Sequence, residues 1–315
     1  MFLINSENTL VPGGIKATSV VYEKDIVAVI DEEGYVLVAN YCSFNKTLGL
    51  FINTRIRGTQ ICSHDYNVYI IDEDNYLWSL TEYSSPQFKK LEWLNGYVKM
   101  DIQISSISVS HRGIHRMFID LENNLWVFGD NYYGQCGIDY CVEIKFYVKT
   151  IHKAKSVSCG GYHSAFIDLD DYLWVTGNNC SGQLGIGTNC NVGVFTKTEI
   201  KAQSVSCGNF HTGIIDFNNH LWMTGCSGYG QLGLDVHENI NTFKNTELVV
   251  NTVKCFNNCT MIINDDGTTY VTGSNYKGRL ISNYDNDTIQ EFTQIPDFIH
   301  KMSTNRFKKT KSARN

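Results

Sequence analysis

The chain has 315 residues, 43% of them hydrophobic and 18% charged, with a formal net charge of −6, so it can bury a substantial core. No apolar run approaches the roughly 20 residues of a spanning helix, and the start, Met-Phe-Leu-Ile-Asn-Ser-Glu, lacks the basic flank and apolar length of a signal peptide. Phe2 excludes myristoylation and the Ser-Ala-Arg-Asn ending is no prenylation box. The expectation is a soluble intracellular protein, cytoplasmic or nuclear, with no membrane contact. Abundant Asn, Ile, Lys and Tyr fit an AT-rich genome such as that of a large virus or its amoebal host.

In chain order, one short segment recurs. DEEGYVL begins at Asp31, DEDNYLW at Asp72, DLENNLW at Asp120, DLDDYLW at Asp168, DFNNHLW at Asp216 and NDDGTTY at Asn264. Trp78, Trp126, Trp174 and Trp222 stand 48 residues apart, and Tyr270 keeps the step. A fixed period of this length marks a supersecondary unit that must stack on its neighbours to bury its apolar face. Aligned on the tryptophans, KAKSVSCGGYHSAFIDLDDYLWVTG from Lys153 matches KAQSVSCGNFHTGIIDFNNHLWMTG from Lys201 almost throughout. Short β-branched and aromatic runs alternate with Gly, Asp and Asn clusters, which predicts strands and hairpins. With a fourth run after Gly193, each unit reads as four antiparallel strands, a propeller blade. Asp-Asp-Gly at 265–267 and Glu-Glu-Gly at 32–34 fall where hairpin turns need positive φ.

The loop after the Trp strand reads GDNYYGQCG from Gly129, GNNCSGQLG from Gly177, GCSGYGQLG from Gly225 and GSNYKGRL from Gly273. With SCGxxH before the hairpin, these words resemble the repeat of the regulator of chromosome condensation, a seven-bladed propeller family. The resemblance is strong in the units centred on 126, 174 and 222, degenerate at 78 and 270, and weak at 37. No Trp-Asp pair follows the strands as in WD repeats, and only one clear repeat has the Gly-Gly that kelch needs in every copy. FIHKMS at 298–303 aligns with the first strand of a unit and FLIN at 2–5 with the third, which predicts a composite seventh blade closing the ring and removing open edges. Six blades is the alternative. Residues 1–304 then form a single propeller domain and 305–315 a basic, disordered tail, the whole a monomer.

Eleven cysteines lack any CxxC spacing. Cys159, Cys207 and Cys255 share one repeat position, which predicts small buried packing residues rather than disulfides or zinc ligands. His115, His163 and His211 also recur at steps of 48, each just before the second strand. Catalysis needs one asymmetric constellation, whereas these are copies, so the expected role is a hydrogen bond to a neighbouring loop carbonyl. Gln135, Gln183 and Gln231 are expected to tie loops together, and the four tryptophans to fill blade cores. The glycine loops match neither a P-loop nor a dinucleotide fingerprint. No catalytic residue, metal or cofactor is expected.

Six cations and no acid lie in 301–315, so residues 1–300 carry a net −12. Arg306, Lys308, Lys309, Lys311 and Arg314 would let the tail meet a polyanion or act as a targeting address, while the acidic body argues against nucleic acid on the propeller face. Two functions remain open. The first is a non-enzymatic protein-interaction platform contacting a protein partner through the loop tyrosines Tyr132, Tyr133, Tyr229 and Tyr276, since Tyr offers large rigid area with few torsions. The second is implied by the family resemblance alone: guanine-nucleotide exchange on a Ran-like small GTPase, in which the founding member uses a wedge-like hairpin. Here the constant spacing from Trp78 to Tyr270 leaves no insertion for one.

Overall fold

The computed structural model describes residues 17–295 apart from 24–25, 43–46, 49, 65–66, 81–89, 95–96, 111–114, 141–142, 237, 277–279 and 282–285. The described residues form strands, turns and loops only, in two compact units: the described residues up to 109 with 120–122, and those of 110–119 with 123 onwards. The segments on which ring closure rests, 2–5 and 298–303, lie outside the described residues, as does the basic tail with Arg306, Lys308, Lys309, Lys311 and Arg314.

In the first unit, strands Ala17–Glu23, Ile26–Asp31 and Tyr35–Cys42 pair antiparallel in order, followed by the long strand Ile52–His64. That strand serves two sheets. Its first half pairs with Tyr35–Cys42 (Leu37 opposite Asn53), and its second half pairs with Asn67–Asp72 (Cys62 opposite Tyr69). The switch falls at Gly58, where a Cβ would stand 2.7 Å from Val36 Cγ2. Ile26, Ala28, Ile30, Val36, Ile56, Val68 and Ile70 form one apolar cluster there with the buried Trp78.

The second unit contains three consecutive four-stranded antiparallel sheets, spanning 156–201, 204–249 and 252–294. Their strands are Ser156–Cys159, His163–Ile167, Tyr172–Gly177 and Val192–Lys201, then Ser204–Cys207, His211–Ile215, His220–Gly225 and Ile240–Val249, then Thr252–Phe256, Cys259–Ile263, Thr269–Ser274 and Thr288–Gln294. Equivalent residues pair identically in all three: Phe166 with Trp174, Ile214 with Trp222, Ile262 with Tyr270.

One carboxylate explains the recurring segment. Asp168 Oδ1 accepts the N–H groups of Asp170 (2.9 Å) and Tyr172 (2.8 Å), while Oδ2 accepts the indole N–H of Trp174 (2.7 Å). Asp72 and Asp216 repeat all three bonds. The hairpin's last turn residue is left-handed, at Asn75, Asn123, Asp171 and Asn219, and Gly34 (φ 88°) and Gly267 (φ 84°) hold this position in the outlying copies. Asn and Asp tolerate that conformation better than other non-glycine residues.

The Leu-Trp pair divides its labour differently from the expectation. Leu125, Leu173 and Leu221 are fully buried, whereas Trp126, Trp174 and Trp222 are half-buried and only Trp78, at 3% exposed, sits inside the core. Alternate strand residues face opposite sides, so the leucine enters the core and the tryptophan closes its margin. Phe166 stacks on Trp174 at 5.6 Å and 10°, and Lys197 lies over the same indole at 5.9 Å.

The sheets of the second unit lock together by repeated polar bonds. Ser158 Oγ accepts the Cys207 N–H (2.9 Å) and Ser206 Oγ that of Cys255 (2.8 Å). Cys159, Cys207 and Cys255 are buried as expected, and burial pushes the thiols of Cys207 and Cys255 up to about 12. The histidines correct the expectation of a loop carbonyl. His115 Nε2 meets Ser164 Oγ (2.8 Å), His163 Nε2 meets Thr212 Oγ1 (2.9 Å) and His211 Nε2 meets Thr260 Oγ1 (3.0 Å), each a hydroxyl on the next sheet. Thr212 and Thr260 give their hydroxyl protons to the carbonyls of Gln183 (2.7 Å) and Gln231 (2.6 Å), so His163 and His211 must donate from Nε2.

Candidate partner-binding face

The turn between first and second strands and the loop between third and fourth strands lie at the same end of each sheet, because both follow an odd crossing of an antiparallel sheet. Backbone bonds join them: the Asn178 N–H reaches the Tyr162 carbonyl and the Cys226 N–H the Phe210 carbonyl, both at 2.8 Å. Within each loop the glutamine side chain acts as an internal brace. Gln183 Oε1 accepts the Ser181 N–H (3.0 Å) and its Nε2 donates to Asn178 Oδ1 (2.7 Å). Gln135 likewise accepts from Tyr133 N–H (2.9 Å) and donates to Asp130 Oδ2 (3.0 Å). Gly182, at φ 79°, lets the loop touch the next sheet, where a Cβ would stand 2.6 Å from Asn241 Cα. Isolated bridges from Ile138 to Val194 and from Ile186 to Thr242 extend each loop onto the outer strand of the following sheet.

The third loop breaks the brace. Tyr229 N–H still reaches Gln231 Oε1 (2.8 Å), but Cys226 replaces the Asp130 and Asn178 acceptors, and Gln231 Nε2 is buried without a partner. A buried donor left unsatisfied costs about 1–3 kcal/mol. Cys226→Asn should restore the acceptor and stabilise the fold by ~1 kcal/mol, raising the thermal midpoint by about 2 °C. Calorimetry checks this, and an unchanged or lowered midpoint refutes it.

The loops after the third strand carry the tyrosines expected to meet a partner. Tyr132 is 66% exposed, Tyr229 45% and Tyr276 49%, with Tyr133 half-buried. Tyr132 and Tyr133 meet edge to face at 5.2 Å, and Tyr133 continues to Tyr162 at 5.4 Å, itself 6.2 Å from Phe210. Tyr162 and Phe210 were not among the expected contact residues, although both precede a repeated histidine at the 48-residue step. The face is thus a continuous aromatic strip across consecutive repeats, with Tyr229 and Tyr276 placed on later loops. Among the described residues, no cluster of three or more His, Cys, Asp or Glu is arranged to hold a metal ion.

The repeating sheets and their braced loops define a β-propeller. Family models of the regulator of chromosome condensation (RCC1) repeat match residues 122–167 and 170–215, and a second model of the same repeat matches 154–183. Residues 122–215 thus carry RCC1-like repeats. No curated protein matches it by sequence. Among solved structures it is similar to Prp20p of Saccharomyces cerevisiae, described with binding to Gsp1p and histones, at 14% identity and a TM-score of 0.70, covering 88% of this chain and 76% of that one. Human WBSCR16 is similar at 16% identity and a TM-score of 0.64, with 81% and 71% covered. At these identities the likeness is one of fold.

Proposed function

We infer that the protein is a non-enzymatic interaction platform that binds a protein partner through the loop face of the 115–295 repeats. The observation carrying this reading is the division between constant strands and variable loops. The clamps and histidine bonds recur from sheet to sheet, and glutamine braces hold the 129–140 and 177–191 loops, while Tyr132, Tyr133, Tyr162 and Phe210 are presented on that frame. Recurrent copies do not make a single catalytic centre, and a braced scaffold lowers the ordering cost of association. Closure into a seven-bladed ring over residues 1–304 belongs to the same proposal.

A second reading is nucleotide exchange on a small GTPase, favoured by the likeness to Prp20p, which is described with Gsp1p binding. Exchange factors act by binding the nucleotide-free GTPase more tightly. The unbroken 48-residue spacing from Trp78 to Tyr270 leaves no inserted wedge. Micromolar protein should therefore release fluorescent nucleotide from a Ran-like GTPase at little more than the intrinsic rate. Acceleration by two orders of magnitude or more would replace the platform reading with exchange, and Tyr132→Ala and Tyr229→Ala would then locate the site.

A further inference from the structure

We propose that the aromatic strip Tyr132, Tyr133 and Tyr162 is a docking site for an arginine-bearing, acid-poor peptide segment of the partner; this rests on the platform reading and specifies the partner's chemistry.

The fold distributes its cations unevenly. At the opposite end of the sheets the indole and phenol faces are already served: Lys99 lies 4.4 Å over Tyr76 and 5.5 Å over Trp78, Lys149 5.9 Å over Trp126, and Lys197 3.7 Å over Tyr172. The clamp carboxylates hold the same lysines, with Lys99 Nζ 2.9 Å from Asp72 and Lys197 Nζ 4.0 Å from Asp168. In the loops and turns around the strip the pattern inverts; Arg112, Lys277 and Arg279 belong to 111–114 and 277–279, outside the described residues. Residues 129–140, 160–162, 177–191, 208–210 and 225–239 contain no lysine or arginine at all, yet hold Asp130, Asp139, Asp235 and Glu238. Asp139, Asp235 and Glu238 are exposed.

An aromatic ring carries a quadrupole with a negative face, and among the described residues no cation is placed over Tyr132, Tyr133 or Tyr162. An aromatic face attracts a cation within about 6 Å of its centroid. Arginine suits this surface better than lysine, since its planar guanidinium stacks on a ring while its remaining N–H groups reach a carboxylate. Asp139 is exposed in the same loop as Tyr132 and Tyr133. The frame keeps these groups in place: Tyr133 N–H is held by Gln135, Tyr162 C=O by the Asn178 N–H, and the Asp139 N–H by the Gly193 carbonyl at 2.8 Å.

The test is fluorescence anisotropy of the full chain with three labelled peptides of equal length: alternating arginine and glycine, alternating lysine and glycine, and alternating glutamate and glycine. The arginine peptide should bind, more tightly than the lysine peptide by several-fold, and the glutamate peptide should not; added salt should weaken binding. Tyr133→Leu with Tyr162→Leu should weaken the arginine peptide about tenfold, equivalent to ~1.4 kcal/mol, and remove its advantage over lysine. Because those two rings are half-buried, a second variant, Asp139→Asn with Asp235→Asn, probes the exposed acids alone and should weaken both cationic peptides. Equal binding of the arginine and lysine peptides with no effect of the tyrosine changes would overturn the proposal, as would a preference for the glutamate peptide or for an oligonucleotide. A captured protein partner that the arginine peptide fails to displace would sink this assignment while leaving the platform reading intact. Arginine-selective binding lost in both variants, without any captured partner, would do the reverse.

Discussion

Acidification alone should destabilise the second unit steeply between pH 6.5 and about 4. The cause is the column of histidines joining successive sheets. Burial, reinforced by the charges of His211 and His115, depresses the pKa of His163 from 6.5 to about 3, and burial depresses that of His211 to about 4. Below pH 6.5 the unfolded chain takes up a proton at each ring that the folded chain refuses. Their contribution to stability is therefore complete above about 6.5 and is lost as the pH falls toward the folded values. Each ring contributes a slope of ~1.4 kcal/mol per pH unit in that window, so two rings give roughly 2.8. Against a typical stability of about 5–15 kcal/mol, two pH units suffice to unfold a marginal domain. Carboxylates act lower: burial raises Asp216, but bonds from Trp222, His220 and Asn218 outweigh it and depress its pKa below 3.8, so its contribution disappears only beneath that value. Urea unfolding at half-unit pH steps measures the slope. His163→Gln should reduce it by about half, and a flat stability from 6.5 to 4.5 would show that the rings protonate in place.

The extent to which the sequence displayed all this depends on where each partner lies. The hairpin clamp is legible because Asp168, Asp170, Tyr172 and Trp174 fall within one short segment, so their bonds and their spacing are the same information. The histidine bonds are not, because His163 finds Thr212 on the following sheet, 49 residues on. A column of Ser164, Thr212 and Thr260 one step after the histidine register was nonetheless available, and the Ser or Thr there is the signal that a hydroxyl, not a carbonyl, accepts. The continuous strand Ile52–His64 replaces two strands that the repeat plan expects to be separate; Gly58, where the strand passes from one sheet to the next, is its only local mark. The aromatic strip was half visible. Tyr132 and Tyr133 stand out as loop aromatics, but Tyr162 meets Tyr133 from the following repeat, 29 residues on, and spacing within one repeat does not display that contact.

The most localised large effect should come from a single methyl group. Gly160 lies under the imidazole of His163, where an added Cβ would stand 2.3 Å from Cε1, 2.5 Å from Nδ1 and 2.6 Å from the Gly208 carbonyl oxygen of the next sheet. Gly208 repeats the first half of that arrangement, 2.1 Å from Cε1 of His211. Neither ring can swing away cheaply, since both are fully buried and held through Nε2 to Thr212 and Thr260. Either Gly→Ala change must displace the ring, which costs about 1–3 kcal/mol of overpacking and a further ~1–3 kcal/mol if the hydroxyl contact breaks. The two sites should differ in rescue. Removing the ring in Gly208→Ala/His211→Ala leaves room for the new methyl, so the double variant should be more stable than the sum of the single changes predicts, by roughly 1–3 kcal/mol of coupling. In Gly160→Ala/His163→Ala the Gly208 carbonyl still blocks the methyl, and recovery should be smaller. Equilibrium unfolding of both cycles gives the two coupling energies directly. Near-zero coupling at Gly208 and His211 would show that the glycine is required for its backbone alone and not for the ring that folds over it.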